Sequence, residues 1–353
     1  MKATSPIALL VATFIALSTS TRASAAVSTV APAQASTQQQ EQQQQYTNTD
    51  GSTAIGFYDE DGTPVVAETT SNYSSSVPTF GDITSKPGEC VTGNPNEYIT
   101  AEALTWVWEN RIGPKADLSD TANWNVMASK NWLMDHIVHN NGSMNYCVRW
   151  DSDAKLSKSA ASKFQGLLER HYNEWNKWLV GYNCWPFEEV KINVVSFAAK
   201  DVSQFEWTDD SLGKIYEGII DPSEKAPKCP DECHRYYDNG NNMWSDTSAC
   251  EGEPFDVSFR LNQDLDFGYA FGFDWGEEVS SKEILQTLQN KNILVVGHEI
   301  GHGFGHPDFY TAKQKPKNFP PSIMMGSSSV TITPSDGWML RRILEHLKPR
   351  YNF

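Results

Sequence analysis

Positive charge is scarce in this sequence. It has 28 Lys and Arg residues against 44 Asp and Glu residues, which gives a formal net charge of -16 over 353 residues. Proteins that bind nucleic acid need a basic face to neutralise phosphates, so the composition argues against a nucleic-acid partner. Internal repeats are also absent, which excludes an architecture built from repeated units.

Long apolar runs are lacking as well. The most apolar segment near the N-terminus, residues 7–17, is too short to span a bilayer, and no later segment approaches the length of a transmembrane helix. With Lys2 before it and small residues at 23–25 after it, this segment predicts a secretory signal peptide over residues 1–25. We therefore expect a soluble, secreted, extracellular protein with no membrane partner.

Cysteine is sparse but even in number. An even count in a secreted chain predicts three disulfides and leaves fifteen connectivities open for Cys90, Cys147, Cys184, Cys229, Cys233 and Cys250. A metal cluster of Cys229, Cys233 and His234 is the alternative, which an oxidising compartment disfavours. In a eukaryotic host, the sequons at Asn72 and Asn141 would also carry glycans, so a glycoprotein is expected.

The composition of the chain changes near residue 88. Residues 26–88 are rich in Gln, Ser and Thr and have too few large apolar residues to build a core, which predicts a disordered leader or linker. Whether this segment is a propeptide stays open. Residues 89–353 have the size of one large domain, and residues 89–150 can be interpreted as a helical subdomain within it.

The order of the predicted elements in this domain indicates an α+β fold. Apolar residues recur at helical spacing in residues 101–112, 124–139, 158–179 and 338–347. They alternate as in strands in residues 190–194 and 255–261. Ser280 and Glu283 have the spacing of a capping box. Pro334 follows Thr333, as at the start of a helix.

The residues most capable of metal binding and acid–base chemistry lie in one run, His298-Glu299-Ile300-Gly301-His302-Gly303-Phe304-Gly305-His306-Pro307-Asp308. Side chains at i and i+4 lie on one face of a helix, so His298 and His302 can hold one Zn²⁺ ion between them. Zinc lowers the pKa of a bound water, and Glu299 beside it can take the proton as the general base. Gly305 marks the point where the helix must break to bring a third ligand back.

Two residues compete for the place of the third ligand. Aspartate oxygen is an acceptable zinc ligand, and Asp308 follows the glycine break. His306 is the alternative, but it lies i+4 from His302 and i+8 from His298, and three such side chains on one unbroken helix would fan out. The other interpretation of His306 is a side chain of the cleft wall.

A methionine follows this run, in Ser322-Ile323-Met324, sixteen residues after Asp308. The pattern HExxHxxGxxD, followed by Met324, resembles the metzincin metallopeptidases, and its aspartate resembles the snapalysin type. This resemblance implies a zincin-like fold, with a small mixed sheet packed on helices, and a Met-turn at Met324 beneath the zinc. Gly326 stands where some metzincins have a tyrosine, which makes Tyr310 the candidate oxyanion helper.

Two functions are therefore in competition. The first is a secreted zinc endopeptidase that hydrolyses a protein or peptide substrate. The second is a secreted, non-catalytic protein that binds carbohydrate or a host protein and keeps a degenerate metal site, an interpretation motivated by 12 Trp and 13 Tyr residues. Structural zinc sites usually have four protein ligands, whereas three are found here, which favours the enzyme. Residues 266–276 are a candidate wall of its cleft.

Overall fold

The computed structural model describes residues 86–95, 97–326 and 328–353, and the backbone of three strands nearer the N-terminus. The predicted signal peptide, most of the predicted leader and the sequon at Asn72 lie outside the described residues. Asn141, in the second sequon, is exposed in a turn. Within the described part of the chain, no helix combines the length and the apolar character needed to cross a bilayer.

The described residues form a mixed α+β fold, as predicted. The strands are β1 (Gln43–Thr47), β2 (Thr53–Tyr58), β3 (Pro64–Val65), β4 (Ser143–Asp151), β5 (Lys191–Ala199), β6 (Lys214–Glu217), β7 (Tyr237–Asp238), β8 (Met243–Trp244), β9 (Val257–Asn262), β10 (Ala270–Phe273) and β11 (Gly276–Ser280). The helices are α1 (Ala101–Val107, continued by a π-helical turn, Trp108–Ile112), α2 (Leu133–His139), α3 (Lys158–Ala161), α4 (Phe164–Asn176), α5 (Ser281–Thr287), α6 (Leu294–Gly303) and α7 (Pro334–Leu347).

The main sheet has six strands in the order β10-β11-β9-β4-β5-β6. Five of them run parallel, and β10 pairs antiparallel with β11 at one edge. Strands β1, β2 and β3 form a separate antiparallel sheet, and β7 pairs with β8. Parallel strands are usually covered on both faces, and all six residues of β9 are indeed buried.

Alternate residues of β4 face opposite sides of the sheet. Tyr146, Val148 and Trp150 belong to the main core, which they share with α4 and α6. Cys147 belongs to a second cluster with Cys229, Cys233 and Phe255. The helices therefore cover one face of the sheet, and a disulfide-linked segment covers the other.

The three predicted disulfides are confirmed as the pairs Cys90–Cys184, Cys147–Cys229 and Cys233–Cys250. Cys229 and Cys233 are both used, so the alternative metal cluster with His234 is excluded. The disulfide between Cys147 and Cys229 attaches the segment that covers this second face of the sheet to the middle of β4. The bond from Cys90 attaches the segment before α1 to the turn after α4.

Helix α4 packs against β5 of the sheet and against α6. The apolar residues of its buried face are Phe164, Leu167, Leu168, Tyr172 and Trp175. The helix predicted over residues 158–179 is divided into α3 and α4. The Ser162 hydroxyl donates to the Ser159 carbonyl at 3.0 Å and competes with the helical hydrogen bond to that oxygen.

The helix predicted over residues 124–139 is also shorter in the structure. It consists of a 3₁₀ turn, Val126–Ala128, followed by α2 after a gap. The Arg350 guanidinium donates to the carbonyl oxygens of Met127 and Ser129 at 2.9 and 2.7 Å. The backbone is extended at Ser129 (φ −115°, ψ 148°), so no continuous helix passes through it, and Arg350 supplies donors to oxygens that would otherwise accept helical hydrogen bonds.

The two predicted helix starts differ in outcome. At α7, the helix starts as predicted with Pro334 in the first turn, and Thr333 and Asp336 also form a capping box. At α5, the helix begins at the predicted place, but the capping box is wrong. The Ser280 hydroxyl donates to the Leu265 carbonyl at 2.9 Å instead, and Glu283 accepts from the Gly268 N–H at 2.6 Å.

Glu277 is a fully buried acid on the helix-covered face of β11. One carboxylate oxygen accepts from the Tyr146 hydroxyl at 3.0 Å, and that hydroxyl also bonds to the Tyr172 hydroxyl. The other oxygen has no hydrogen-bond partner among the described residues. Burial raises the pKa of Glu277 from 4.5 to about 8, against the opposing hydrogen bond from Tyr146.

We predict that Glu277→Gln flattens the pH dependence of stability. Because the pKa is raised in the fold, the stabilising contribution of Glu277 is complete below its ordinary pKa and is lost as the pH rises through about 8. Relative to the variant, the wild-type free energy of unfolding should fall by up to roughly 1.4 kcal/mol per pH unit between about pH 5 and 8. Urea unfolding of the metal-free proteins measures this difference, and parallel pH curves would contradict it.

Candidate metal centre

Helix α6 is buried along its whole length and is fixed in place by α4. The His171 imidazole accepts from the Ile293 N–H at 2.9 Å, at the start of α6. The Trp175 indole N–H donates to the Gly297 carbonyl at 2.8 Å. Two polar contacts from one neighbouring helix therefore set the depth and rotation of α6, on which His298 and His302 lie.

The C-terminal end of α6 turns sharply at Gly305, which has φ +93°. The His306 N–H donates to the Gly301 carbonyl at 3.1 Å, and the Gly305 N–H donates to the His302 carbonyl at 2.8 Å. This pair of bonds is a Schellman motif, whose left-handed position favours glycine. The turn redirects the chain so that Asp308 returns towards α6.

Three side chains of α6 can hold a metal ion. His298, Glu299 and His302 are buried, and one ligand atom from each lies within 4.8 Å of the others. The Asp308 carboxylate joins them, with its Oδ1 at 3.2 Å from His298 Nε2 and 3.3 Å from His302 Nε2. These three atoms, the two Nε2 nitrogens and Asp308 Oδ1, are called the acceptor cluster below.

Both imidazoles are oriented by main-chain carbonyls. His298 Nδ1 lies 2.7 Å from the Ile323 oxygen, and His302 Nδ1 lies 2.8 Å from the His306 oxygen. A carbonyl only accepts, so each Nδ1 carries a proton and each Nε2 can present a lone pair to a cation. These two hydrogen bonds fix the orientation of both imidazoles, so the Nε2 atoms of the acceptor cluster are already placed to hold a cation.

The electrostatics of the acceptor cluster favour a positive charge at its centre. Burial lowers the pKa of His298, but the Asp308 carboxylate outweighs it and raises that pKa to about 10. Burial raises the pKa of Asp308, but the two imidazoles hold it well below its usual range. Asp308 Oδ1 has the two imidazoles as its ion-pair partners, and Glu299 Oε2 has no hydrogen-bond partner in the described part of the chain. Buried acceptors without donors fit a cation site.

His306, the alternative third ligand, is directed elsewhere. Its ring is fully buried and packs on Trp175 with ring centroids 4.8 Å apart. Neither ring nitrogen has a hydrogen-bond partner among the described residues, and burial lowers the pKa of His306 to about 3. The ring is therefore neutral, and it is the main-chain oxygen of His306 that serves the site, through His302.

Met324 is fully buried and packs against α6. Its sulfur packs against Gly301, where an added Cβ would come within 2.5 Å of the sulfur. The Met324 carbonyl accepts from the Phe309 N–H at 3.0 Å, which links this turn to the loop after α6. The residue predicted as a Met-turn thus contacts both the helix and the loop that carry the cluster.

The turn before Met324 is held by one buried carboxylate that the sequence did not reveal. Asp336 accepts from the Ile323 N–H at 3.0 Å, from the Thr333 N–H at 2.7 Å and from the Ser322 hydroxyl. Ile323 in turn supplies the carbonyl that orients His298. Asp336 was predictable only as a residue at the start of α7.

Tyr310, the candidate oxyanion helper, lies at the acceptor cluster. Its hydroxyl is 3.2 Å from His298 Nε2, and its ring is parallel to that imidazole. The side chain is only partly buried. A phenol that borders the cluster and also faces outwards is placed to meet a molecule that approaches the metal site.

The edge strand β10 passes directly over α6. An added Cβ on Gly272 would lie 2.5 Å from the Glu299 carbonyl, so only glycine allows this approach. Phe273, in the predicted cleft wall, packs edge-on against Trp124 at 5.4 Å, and Trp124 packs edge-on against His302 at 6.0 Å. Apolar rings therefore border one side of the metal site.

The contribution of Arg111 to the site was not predicted from the sequence. Its buried guanidinium donates to the Asp308 carbonyl at 2.8 Å, across 197 positions of the chain. A single arginine at the end of a predicted helix carries no signal for such a distant contact.

No protein-family model, curated protein or solved structure matches this chain. The function proposed below therefore depends on the geometry of the site.

We predict that Gly305→Ala weakens both the fold and the metal site, because alanine is strained at φ +93° and its Cβ would lie 3.2 Å from Val126. The expected loss is about 1–3 kcal/mol of unfolding free energy, with weaker metal binding. Gly166→Ala in α4 is the matched control, since its Cβ meets nothing within 4 Å. It should gain up to about 1 kcal/mol. Thermal unfolding and metal titration test both, and equal effects would contradict the role of Gly305.

Proposed function

We propose that this chain is a secreted zinc endopeptidase, in which His298, His302 and Asp308 hold the metal and Glu299 is the general base. The observation that carries the proposal is the acceptor cluster, with both Nδ1 atoms tied to carbonyls and one carboxylate oxygen within 3.3 Å of both Nε2 atoms. Two imidazoles and one carboxylate are the protein ligands of a common type of catalytic zinc site.

Zinc bound there would supply an electrophile that polarises the scissile carbonyl and makes water more acidic. Glu299 then accepts the proton of the attacking water through Oε2, the oxygen that has no hydrogen-bond partner among the described residues. Burial raises the pKa of Glu299, against the two neighbouring imidazoles, which suits a base that must later release its proton. The proton passes to the leaving amine as the peptide bond breaks.

Tyr310 is proposed to stabilise the oxygen of the scissile carbonyl as it becomes negative. Its hydroxyl borders the acceptor cluster, and a donor aimed at a developing oxyanion lowers the barrier of acyl transfer. The position of this tyrosine, on the loop that begins at Asp308, couples the oxyanion donor to the third ligand. Gly326, where the family resemblance would place a tyrosine, has no side chain for this role.

An extended peptide is the proposed substrate. Strand β10 forms one edge of the six-stranded sheet, and its outer side pairs with no other strand of the described residues. A peptide can add to such an edge through main-chain hydrogen bonds, which recognise any extended sequence. The rings of Trp124 and Phe273 border the site, so we expect a preference for apolar side chains near the cleaved bond.

The first test is Glu299→Gln, which keeps the shape of the base but not its basicity. We expect the variant to bind zinc like the wild type and to lose roughly 10²- to 10⁴-fold in turnover on an unfolded protein substrate. Glu345→Gln in α7 is the matched control, because Glu345 bonds to Tyr182 and Arg342 away from the cluster. Undiminished turnover by Glu299→Gln would refute the assignment of the base.

The same assay addresses the rival function. A wild-type protein that binds zinc, cleaves no peptide and is retained on insoluble glycans would favour the non-catalytic binding protein. A wild-type protein that cleaves peptides only with zinc would exclude it.

The second test separates the two third-ligand candidates. We expect Asp308→Asn to lose more than about a hundredfold in zinc affinity, beyond the range typical of changes outside the ligand shell. His306→Phe keeps a ring against Trp175 and should bind zinc like the wild type. Competition with a chromophoric chelator measures both affinities, and the reverse ranking would assign the ligand to His306.

A further inference from the structure

Arg111 lies in the π-helical turn that continues α1, and only 3% of the residue is exposed. Its guanidinium donates to the main-chain oxygens of Asp308 and Ala122, at 2.8 and 2.9 Å, and to that of Gln314. Its Nε donates to the Asn123 side-chain oxygen at 2.6 Å. Every one of these acceptors is a neutral oxygen, so no carboxylate of the described residues hydrogen-bonds to this buried cation.

Burying a guanidinium without an ion pair has a large desolvation cost. Burial lowers the pKa of Arg111 to about 10, against the charges of Asp308 and Asp120. The side chain therefore stays charged at neutral pH. Four hydrogen bonds to fixed oxygens offset the cost, and they require the rigid fork that arginine has and lysine lacks.

The four contacts join segments that are remote in sequence. Two of them hold the loop from Asp308 to Gln314, one contact at each end, and this loop also contains Tyr310. The other two bind the segment just before Trp124, whose N–H donates back to the Arg111 carbonyl at 2.9 Å. Trp124 is the ring that packs against His302.

We propose that Arg111 is a positioning residue of the metal site: it fixes the main chain of the loop so that the Asp308 carboxylate meets both imidazoles. The inference rests on the metal site of the proposed function, and does not require peptidase activity. Arg111 touches neither the metal ligands' donor atoms nor a substrate. It acts through the carbonyl of the ligand residue and through the segment that carries Trp124.

The test is Arg111→Lys, which keeps the charge but cannot reach all four acceptors. We expect zinc affinity to fall by about 10- to 100-fold, as for other residues that orient metal ligands. We also expect the visible absorption bands of the Co²⁺-loaded protein to change, because the ligand geometry changes. Chelator competition and absorption spectra measure these effects without any substrate.

Arg149→Lys is the matched control. Arg149 is also a buried arginine that donates to a carbonyl, that of Pro227 at 2.7 Å, but it lies on the opposite face of the sheet from α6. A merely structural role for Arg111 predicts similar losses of stability in the two variants and wild-type metal affinity in both. Positioning predicts weaker metal binding and an altered Co²⁺ spectrum in Arg111→Lys alone.

Asn123→Ala decides the question if Arg111→Lys does not fold. It removes one acceptor of the guanidinium and leaves the loop after Asp308 untouched, so a several-fold loss of zinc affinity is expected. Wild-type affinity and an unchanged Co²⁺ spectrum in the folded variant would overturn the inference. A wild-type protein that binds zinc but cleaves no peptide would instead count against the proposed function alone.

Discussion

The structure of this site depends on one unfavourable juxtaposition: a carboxylate oxygen and two imidazole nitrogens face one another inside the protein. Lone pairs at such separations repel unless a positive charge lies between them, which is a proton in the metal-free protein and a cation when one is bound. Hydrogen bonds on the far side of each group must therefore hold the side chains and the loop in place. The Ile323 and His306 carbonyls do so for the imidazoles, and Arg111 does so for the main chain of Asp308.

These supports come from three directions that the fold brings together. Helix α4 holds α6 through His171 and Trp175. The first turn of α7 holds the Met324 turn through Asp336. The π-helical turn after α1 holds the loop after α6 through Arg111. Because each support is a hydrogen bond to a main-chain group, the site depends less on the neighbouring side chains than on the packing of whole elements.

The parts that could be predicted from the sequence are those set by local interactions. The break of α6 at Gly305 follows from the conformation of one residue, and the start of α7 from the four residues 333–336. The pairing of the cysteines and the roles of Arg111 and Asp336 depend on contacts between distant residues. The prediction of one helix over residues 124–139 was wrong for the same reason, since the extended backbone at Ser129 is accompanied by hydrogen bonds from the distant Arg350.

The short side chain of Asp308 explains why the loop that carries it needs the donors of Arg111. An aspartate side chain reaches less far than a histidine side chain, so a loop that offers Asp308 must bring its main chain closer to α6. A short loop held close to a buried helix has main-chain oxygens that lose water and need other donors. Arg111 supplies donors to both ends of that loop. With an aspartate as the proposed third ligand, a buried multidentate donor behind the loop is thus the expected counterpart.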